Sequence, residues 1–372
     1  MHVALALYRY FPHGGLQRDF LAVARHCLER GHRVSVLVAE REGALPDGLE
    51  LIRLPARGWS NHARMRRFGR HLARWRQGHP EAVVVGFNRL PGLDLYFASD
   101  SCFAEQLRAR PALVRMLPRY RTYLRLERAV LGPDGAPRIL FLNRQQAGEY
   151  LRHYDLAPKR YRVLPPGVRR DRRPGPDPAE QRRRVRRELQ VPEEATLVLF
   201  LGSGFRVKGL DRALRALGAL PPERMERTWL LVVGDDDPGP YRGLVREYNL
   251  DGRTLFAGGR DDVPDLLQAA DLVLHPAYRE SAGLVLLEAM VAGVPVLTTA
   301  SCGHAEYVEQ AGGGRVVPEP FDQARLDREL ADMLTDLPGP WSRAGLRFGE
   351  NESLYSFHDQ VIEEIEQRDG AA

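Results

Sequence analysis

At 372 residues the chain exceeds the size at which one core usually stops growing, so two domains are expected, and its 44% hydrophobic content is ordinary for a globular protein. No apolar run reaches the ~18–20 residues of a membrane span, and Cys27, Cys102 and Cys302 lie far apart without Cys-x-x-Cys spacing, which excludes a disulfide framework or a cysteine metal site. The formal net charge of +5 asks for an acidic partner, and the chain enters an apolar run with no charged leader, which suits a reducing cytoplasm.

Strand-like and helix-like runs alternate from the start. Strands are expected over 3–8, 33–38, 49–54, 82–86 and 138–142, with helices over 16–30, 63–76 and 144–153. In the first helix Leu16, Phe20, Val23 and Cys27 recur as one apolar stripe, and Gly31 supplies a terminator. A short strand over 161–168 ends in turn residues and leads into a proline-rich connection.

The pattern then restarts. Strands are expected over 196–202, 228–234, 254–256, 271–275, 294–298 and 314–317, separated by helices over 210–220, 241–249, 263–270, 283–292 and 322–334. Such alternation predicts α/β architecture with parallel sheets. The expected organisation is two Rossmann-like doubly wound domains facing across a cleft, over 1–168 and 169–340. A helical tail over 341–372 is expected to pack back on the first domain.

Arginine is unevenly placed. Residues 103–132 carry Arg108, Arg110, Arg115, Arg119, Arg121, Arg125 and Arg128 against only Glu105 and Glu127, interleaved with Leu113, Met116, Leu117, Tyr120, Tyr123 and Leu124. A basic amphipathic stretch of this kind predicts contact with an anionic membrane surface. Pro111 and Pro118 predict that it breaks into short helices. A second arginine-rich stretch, 159–187, is interrupted by Pro174, Pro176 and Pro178 and is almost devoid of aromatic residues, so it reads as a connection and charged helix rather than a nucleic-acid module.

The most informative segment is 280–288, where Glu280 and Glu288 stand eight positions apart across a loop-to-helix junction. A helix start at Gly283 offers unpaired N–H donors and partial positive charge to a phosphate, through Ala282, Gly283, Leu284 and Val285. Glu288, just over a turn inside, can only accept hydrogen bonds when ionised, which suits ribose hydroxyls. It also lies in an apolar run, so a polar partner is expected for it.

Three other loops carry chemistry. Gly14-Gly15 between the first strand and helix permits close backbone approach to a ligand, with Arg18 and Asp19 expected in the first helical turn. Gly202-Ser203-Gly204-Phe205-Arg206-Val207-Lys208-Gly209 lacks Walker spacing, but Arg206 and Lys208 can both reach a diphosphate and stabilise it as it leaves. Gly259-Arg260 follows a short strand and suits a base pocket. Asp235-Asp236-Asp237 precedes Pro238 and reads as a polar turn, so no metal ligand set is expected.

Together Gly14-Gly15, Arg206, Lys208, Arg260 and the Glu280/Glu288 pair resemble family-4 retaining glycosyltransferases of the GT-B fold, and within them enzymes that extend the lipopolysaccharide outer core. The likeness runs along nearly the whole chain, with Leu7 to Phe20, Val85 to Asn88, Pro91 to Asp94 and His275 to Tyr278 its most particular pieces. The resemblance implies a UDP-sugar donor, no cofactor and no metal. It implies Lys208 and Arg206 on the diphosphate, Glu288 on the ribose and Arg260 on the base side. Glu280 would bond the transferred sugar, and Asp19 and Asp100 would lie near the acceptor or reaction centre. The implied acceptor is a heptose of the lipopolysaccharide inner core, reached by an enzyme held on the cytoplasmic face of the inner membrane through 103–132. Two departures stand out: many relatives carry Arg where this chain has Ser203, and Asp100 stands where a reaction-centre histidine is common. Glucose is the favoured sugar. A UDP-hexosamine such as GalNAc, a UDP-sugar epimerase and a basic nucleic-acid-binding protein are the alternatives.

Overall fold

In the computed structural model the described residues are 1–11, 15–108, 110–133, 135 and 137–369. They form two compact units, one of residues 1–165 with 356–372 and one of residues 166–355.

The first unit holds a seven-stranded, wholly parallel sheet of β1 (His2–Tyr10), β2 (Arg33–Arg41), β3 (Leu49–Arg53), β4 (Ala82–Gly86), β5 (Leu95–Phe97), β6 (Arg138–Phe141) and β7 (Tyr161–Val163). Its order is β3-β2-β1-β4-β5-β6-β7, a doubly wound sheet whose order reverses between β1 and β4. Buried on both faces, β4 reads Ala-Val-Val-Val-Gly without alternation. One face packs against the helix Gly15–Glu29 through Phe20, Val23, Ala24 and Cys27, and the same cluster takes in Phe357, Val361, Ile362 and Ile365. The short β5 falls in a segment whose Asp94 and Pro91 gave no periodic strand signal.

The second unit repeats the design with six parallel strands: β8 (Thr196–Leu201), β9 (Thr228–Val233), β10 (Thr254–Phe256), β11 (Leu272–His275), β12 (Val296–Thr299) and β13 (Gly314–Val317). The order β10-β9-β8-β11-β12-β13 reverses between β8 and β11. In open sheets of this kind ligands bind beyond the carboxyl ends of the two strands at the reversal. The loops there are the two that carry Arg206 with Lys208 and Glu280.

The expected tail over 341–372 divides between the units. The helix Gly339–Gly349 stays in the second unit, where Gly345 lies so close to the helix Leu284–Val291 that a Cβ would stand 2.5 Å from Met290 O. The helix Phe357–Asp369 belongs to the first unit. Buried Glu364 fastens it to β6 and the edge strand β7, accepting from Arg138 Nη2 at 2.9 Å and Arg162 Nη1 at 3.0 Å.

The basic segment forms three helices, Phe103–Arg108, Ala112–Arg115 and Pro118–Leu131, with Pro111 and Pro118 at the breaks. Of its two acids, Glu127 turns inward. It pairs with Arg89 and accepts from the backbone N–H of Phe103 (2.7 Å) and Ala104 (2.9 Å) and from Tyr154 Oη (2.7 Å). All seven arginines are exposed, as are Leu113, Met116 and Leu117. Among the described residues no helix is long and apolar enough to cross a membrane.

Candidate active site

Two loops of the second unit meet beyond the reversal point. After β8, Gly204 and Gly209 bracket a single turn, Phe205–Lys208, both in the left-handed region. Gly209, at φ +76°, approaches the β11 loop so closely that a Cβ would stand 2.2 Å from Pro276 O. Only glycine satisfies both demands. The loops are stitched by Tyr278 N–H donating to Val207 O at 2.8 Å, and by Arg212 Nη1 donating to Pro276 O (3.2 Å) and Ala277 O (3.1 Å).

This seam brings Lys208 Nζ into direct ion-pair contact with Glu280 Oε2. The Glu280 backbone is fixed by its N–H to Ser301 O (3.2 Å) and by Gly303 N–H to its own carbonyl (3.0 Å). Burial opposes ionisation of Glu280, yet His275 and Lys208 together hold its carboxyl down at about 2. His275 closes β11 and is fully buried against Phe200, with Nε2 3.8 Å from Glu280 Oε2. Neither ring nitrogen has a formed hydrogen bond among the described residues. Burial disfavours its charged form, but Cys302 and Glu280 outweigh that and raise its pKa above the ordinary imidazole value.

Glu280 is followed by the helix Leu284–Val291, which starts after Gly283 at φ +77°. Its first turn carries no acidic side chain, and helix geometry leaves the N–H groups of Leu284 and Val285 without helical acceptors. The expected span 283–292 differs from this only at the caps. Glu288 is buried one turn in and accepts from Arg172 Nε at 3.0 Å. Arg172, itself buried, also donates to Asp171 at 2.9 Å. The partner that a carboxylate in an apolar run requires is thus an arginine 116 positions away.

Arg206 is exposed on the same turn as Lys208. Arg260 is held instead by Asp262, with Nε to Oδ1 at 2.7 Å. The aspartates 235–237 form a turn around the β8 loop: Asp236 Oδ2 accepts from Phe205 N at 2.8 Å, and Asp235 N–H donates to Ser203 Oγ at 2.9 Å.

In the first unit Gly14 lies outside the described residues, and Gly15 opens the first helix. Asp19 is therefore the fifth residue of that helix, in its second turn rather than its first, because the helix begins at Gly15. Burial pushes its carboxyl up to about 6, against the pull of Arg18. Asp100 faces Arg89, Nε to Oδ2 at 3.5 Å, and burial raises its pKa despite that cation. Its carbonyl accepts from Tyr150 Oη (2.9 Å) and Gln146 Nε2 (3.3 Å).

Arg172 and Arg89 carry no motif signal of their own, and His275 lies in a recognisable stretch without any role attached to it. The buried carboxylates they serve are the sequence features that call for them.

Two parallel-sheet domains with a basic turn beside an acidic loop and an open helix start define a glycosyltransferase of the GT-B fold. Residues 181–345 match the family described as "Glycosyl transferases group 1", and the chain belongs to that family. Over 368 residues, 98% of both chains, it is 40% identical to the lipopolysaccharide glucosyltransferase WaaG of Escherichia coli (strain K12). The crystal structure of WaaG superposes with a TM-score of 0.89 over 98% of this chain and 99% of that one. Sucrose-phosphate synthase from Thermosynechococcus elongatus shares the fold, with a TM-score of 0.75 at 21% identity over 100% of this chain and 99% of that one.

Proposed function

We propose that this glycosyltransferase moves glucose from UDP-glucose to a heptose of the lipopolysaccharide inner core with retention of the α configuration. The observation that carries it is the 40% identity to a lipopolysaccharide glucosyltransferase over 98% of both chains, and the meeting of Lys208 with Glu280 supports it. An epimerase or a nucleic-acid-binding protein has no such likeness in its favour.

Lys208 and Arg206 would hold the diphosphate and, with the first-turn N–H groups of Leu284 and Val285, stabilise the charge that grows as UDP leaves. No metal is assigned a role, because two side-chain cations and a helix start already serve that charge. Glu288, anchored by Arg172, would accept from the ribose hydroxyls, and Arg260 would border the base. Glu280 would accept from the hydroxyls of the transferred sugar. The leaving phosphate oxygen would take the acceptor proton on the face from which UDP departs. Gly15 would allow close backbone approach to the donor, and Asp19 and Asp100 would lie near the acceptor or reaction centre.

The arginines of 103–132 with exposed Leu113, Met116 and Leu117 suit an anionic membrane surface, which supports a peripheral position on the cytoplasmic face of the inner membrane.

Purified protein incubated with UDP-glucose, UDP-galactose, UDP-GalNAc and truncated lipopolysaccharide tests the assignment by product mass. One added hexose from UDP-glucose alone is the expected result. Addition from UDP-GalNAc, or sugar conversion without acceptor, would overturn it.

A further inference from the structure

Lys208 has two duties that conflict. In this structure its ammonium is spent on Glu280, yet a role on the donor diphosphate requires it to turn away. Glu280 would then be a largely buried carboxylate stripped of its nearest cation, a state that desolvation makes costly. Another group must take over, or the carboxyl takes up a proton and loses acceptor capacity.

Among the described residues His275 is placed to do so. Its Nε2 lies 3.8 Å from Oε2, the same oxygen that Lys208 touches. The imidazole is fully buried, stacks on Phe200 at 25° between ring planes, and has no formed hydrogen bond at either nitrogen among the described residues. A buried polar ring without a formed hydrogen bond is uncommon and calls for an explanation. Cys302 and Thr298 frame it, with Thr298 Oγ1 donating to His275 O at 2.9 Å and standing 3.3 Å from Cys302 Sγ. The titratable groups acting on the ring are Cys302, Glu280 and Lys208.

We infer that His275 is a positioning residue that takes over Glu280 when Lys208 moves to the diphosphate, an inference that rests on the donor reading of Lys208. After the handover the ring becomes the partner of the carboxylate and holds it turned and ionised for the sugar. Movement of about 0.6–1 Å brings the two atoms to hydrogen-bond distance. Removal of His275 makes release of Lys208 costlier, so the loss appears in affinity for UDP itself.

The test is a double-mutant cycle on UDP binding, read by calorimetry. His275→Phe keeps the stack on Phe200 and removes the donor; UDP should bind about tenfold more weakly, the scale of one hydrogen bond to a charged group. In a Glu280→Gln background, where no carboxylate retains Lys208, His275→Phe should change affinity less than about twofold, roughly the limit of non-additivity for uncoupled sites. An equal loss in both backgrounds means that His275 only packs, and no loss in the wild-type background also overturns the inference. His275→Gln, which keeps a donor, should restore most of the affinity. Where His275→Phe does not fold, the imidazole nitrogen resonances of the wild-type protein decide: saturating UDP must shift His275 toward imidazolium, and no shift contradicts the handover. Lys208→Ala separates the two levels, because UDP affinity unchanged by that substitution removes the diphosphate assignment itself.

Discussion

Glu288 Oε1 and Arg172 Nε form a buried ion pair at 3.0 Å between a helix and a short turn 116 residues earlier. Removing one partner of such a pair leaves an uncompensated buried charge, at about 3–5 kcal/mol in enclosed sites. Asp171 shares the same guanidinium but is well exposed, so water takes over its charge and the loss falls on Glu288. Arg172→Met is expected to lower stability by roughly 3–5 kcal/mol and to raise the KM for the sugar nucleotide. Urea unfolding and donor titrations check both, and an unchanged KM would show that Glu288 does not bear on the donor.

Lys208→Ala removes the cation assigned to the leaving diphosphate. A loss of about 10²–10³ in kcat is expected, the scale of a lost transition-state donor. The pair with Glu280 is mostly buried, so the substitution strips a desolvated carboxylate of its nearest cation, at roughly 2 kcal/mol with His275 still beside it. The variant should therefore fold with a melting temperature only a few degrees lower. Near wild-type turnover in a folded Lys208→Ala protein would place the chemistry elsewhere.

Asp19 sets an expectation for pH. Its folded-state carboxyl is raised from 3.8 to about 6 by burial, so the protonated form is the one the fold favours. Its contribution to stability is present below about 3.8 and is lost as pH rises through about 6. If the ionised carboxylate serves the acceptor side, kcat/KM should climb through pH about 6. Asp19→Asn should abolish that limb along with most activity, while gaining stability above pH about 6. Glu280, at about 2, remains ionised across this range and adds no limb. A limb that survives in Asp19→Asn belongs to another group.

The basic face predicts electrostatic membrane binding. Liposomes containing anionic lipid should pellet the protein and neutral ones should not, and salt should reverse the effect. Replacing Leu113, Met116 and Leu117 by Ser should weaken binding at every salt concentration, because their contribution is apolar. Equal partitioning onto neutral and anionic vesicles would remove the electrostatic part.

Much of the fold is legible in the chain because its signals are local. The all-parallel strands are apolar runs bounded by glycine and proline, and the donor loops sit where strand ends give way to helices. Pro111 and Pro118 announce the breaks in the basic segment. Long-range pairs are less visible. Nothing near Glu288 in sequence names Arg172, and nothing near Glu127 names Arg89; burial alone says that some cation must arrive. The Lys208–Glu280 contact is of the same kind, since each motif is visible by itself but their meeting depends on the order reversal between β8 and β11. The tail illustrates a different difficulty. Its two helices follow each other closely in sequence, and only tertiary partners, Met290 for one and Arg138 with Arg162 for the other, distribute them between the units.

Everything specific to the donor turns on one ligand position, which a crystal structure with UDP bound reads directly. The diphosphate should lie against the N–H groups of Leu284 and Val285 with Lys208 Nζ turned from Glu280 onto a phosphate oxygen, and the ribose hydroxyls on Glu288. UDP bound away from the β8 and β11 loops, or Lys208 still paired with Glu280 beside an uncontacted phosphate, would contradict the account.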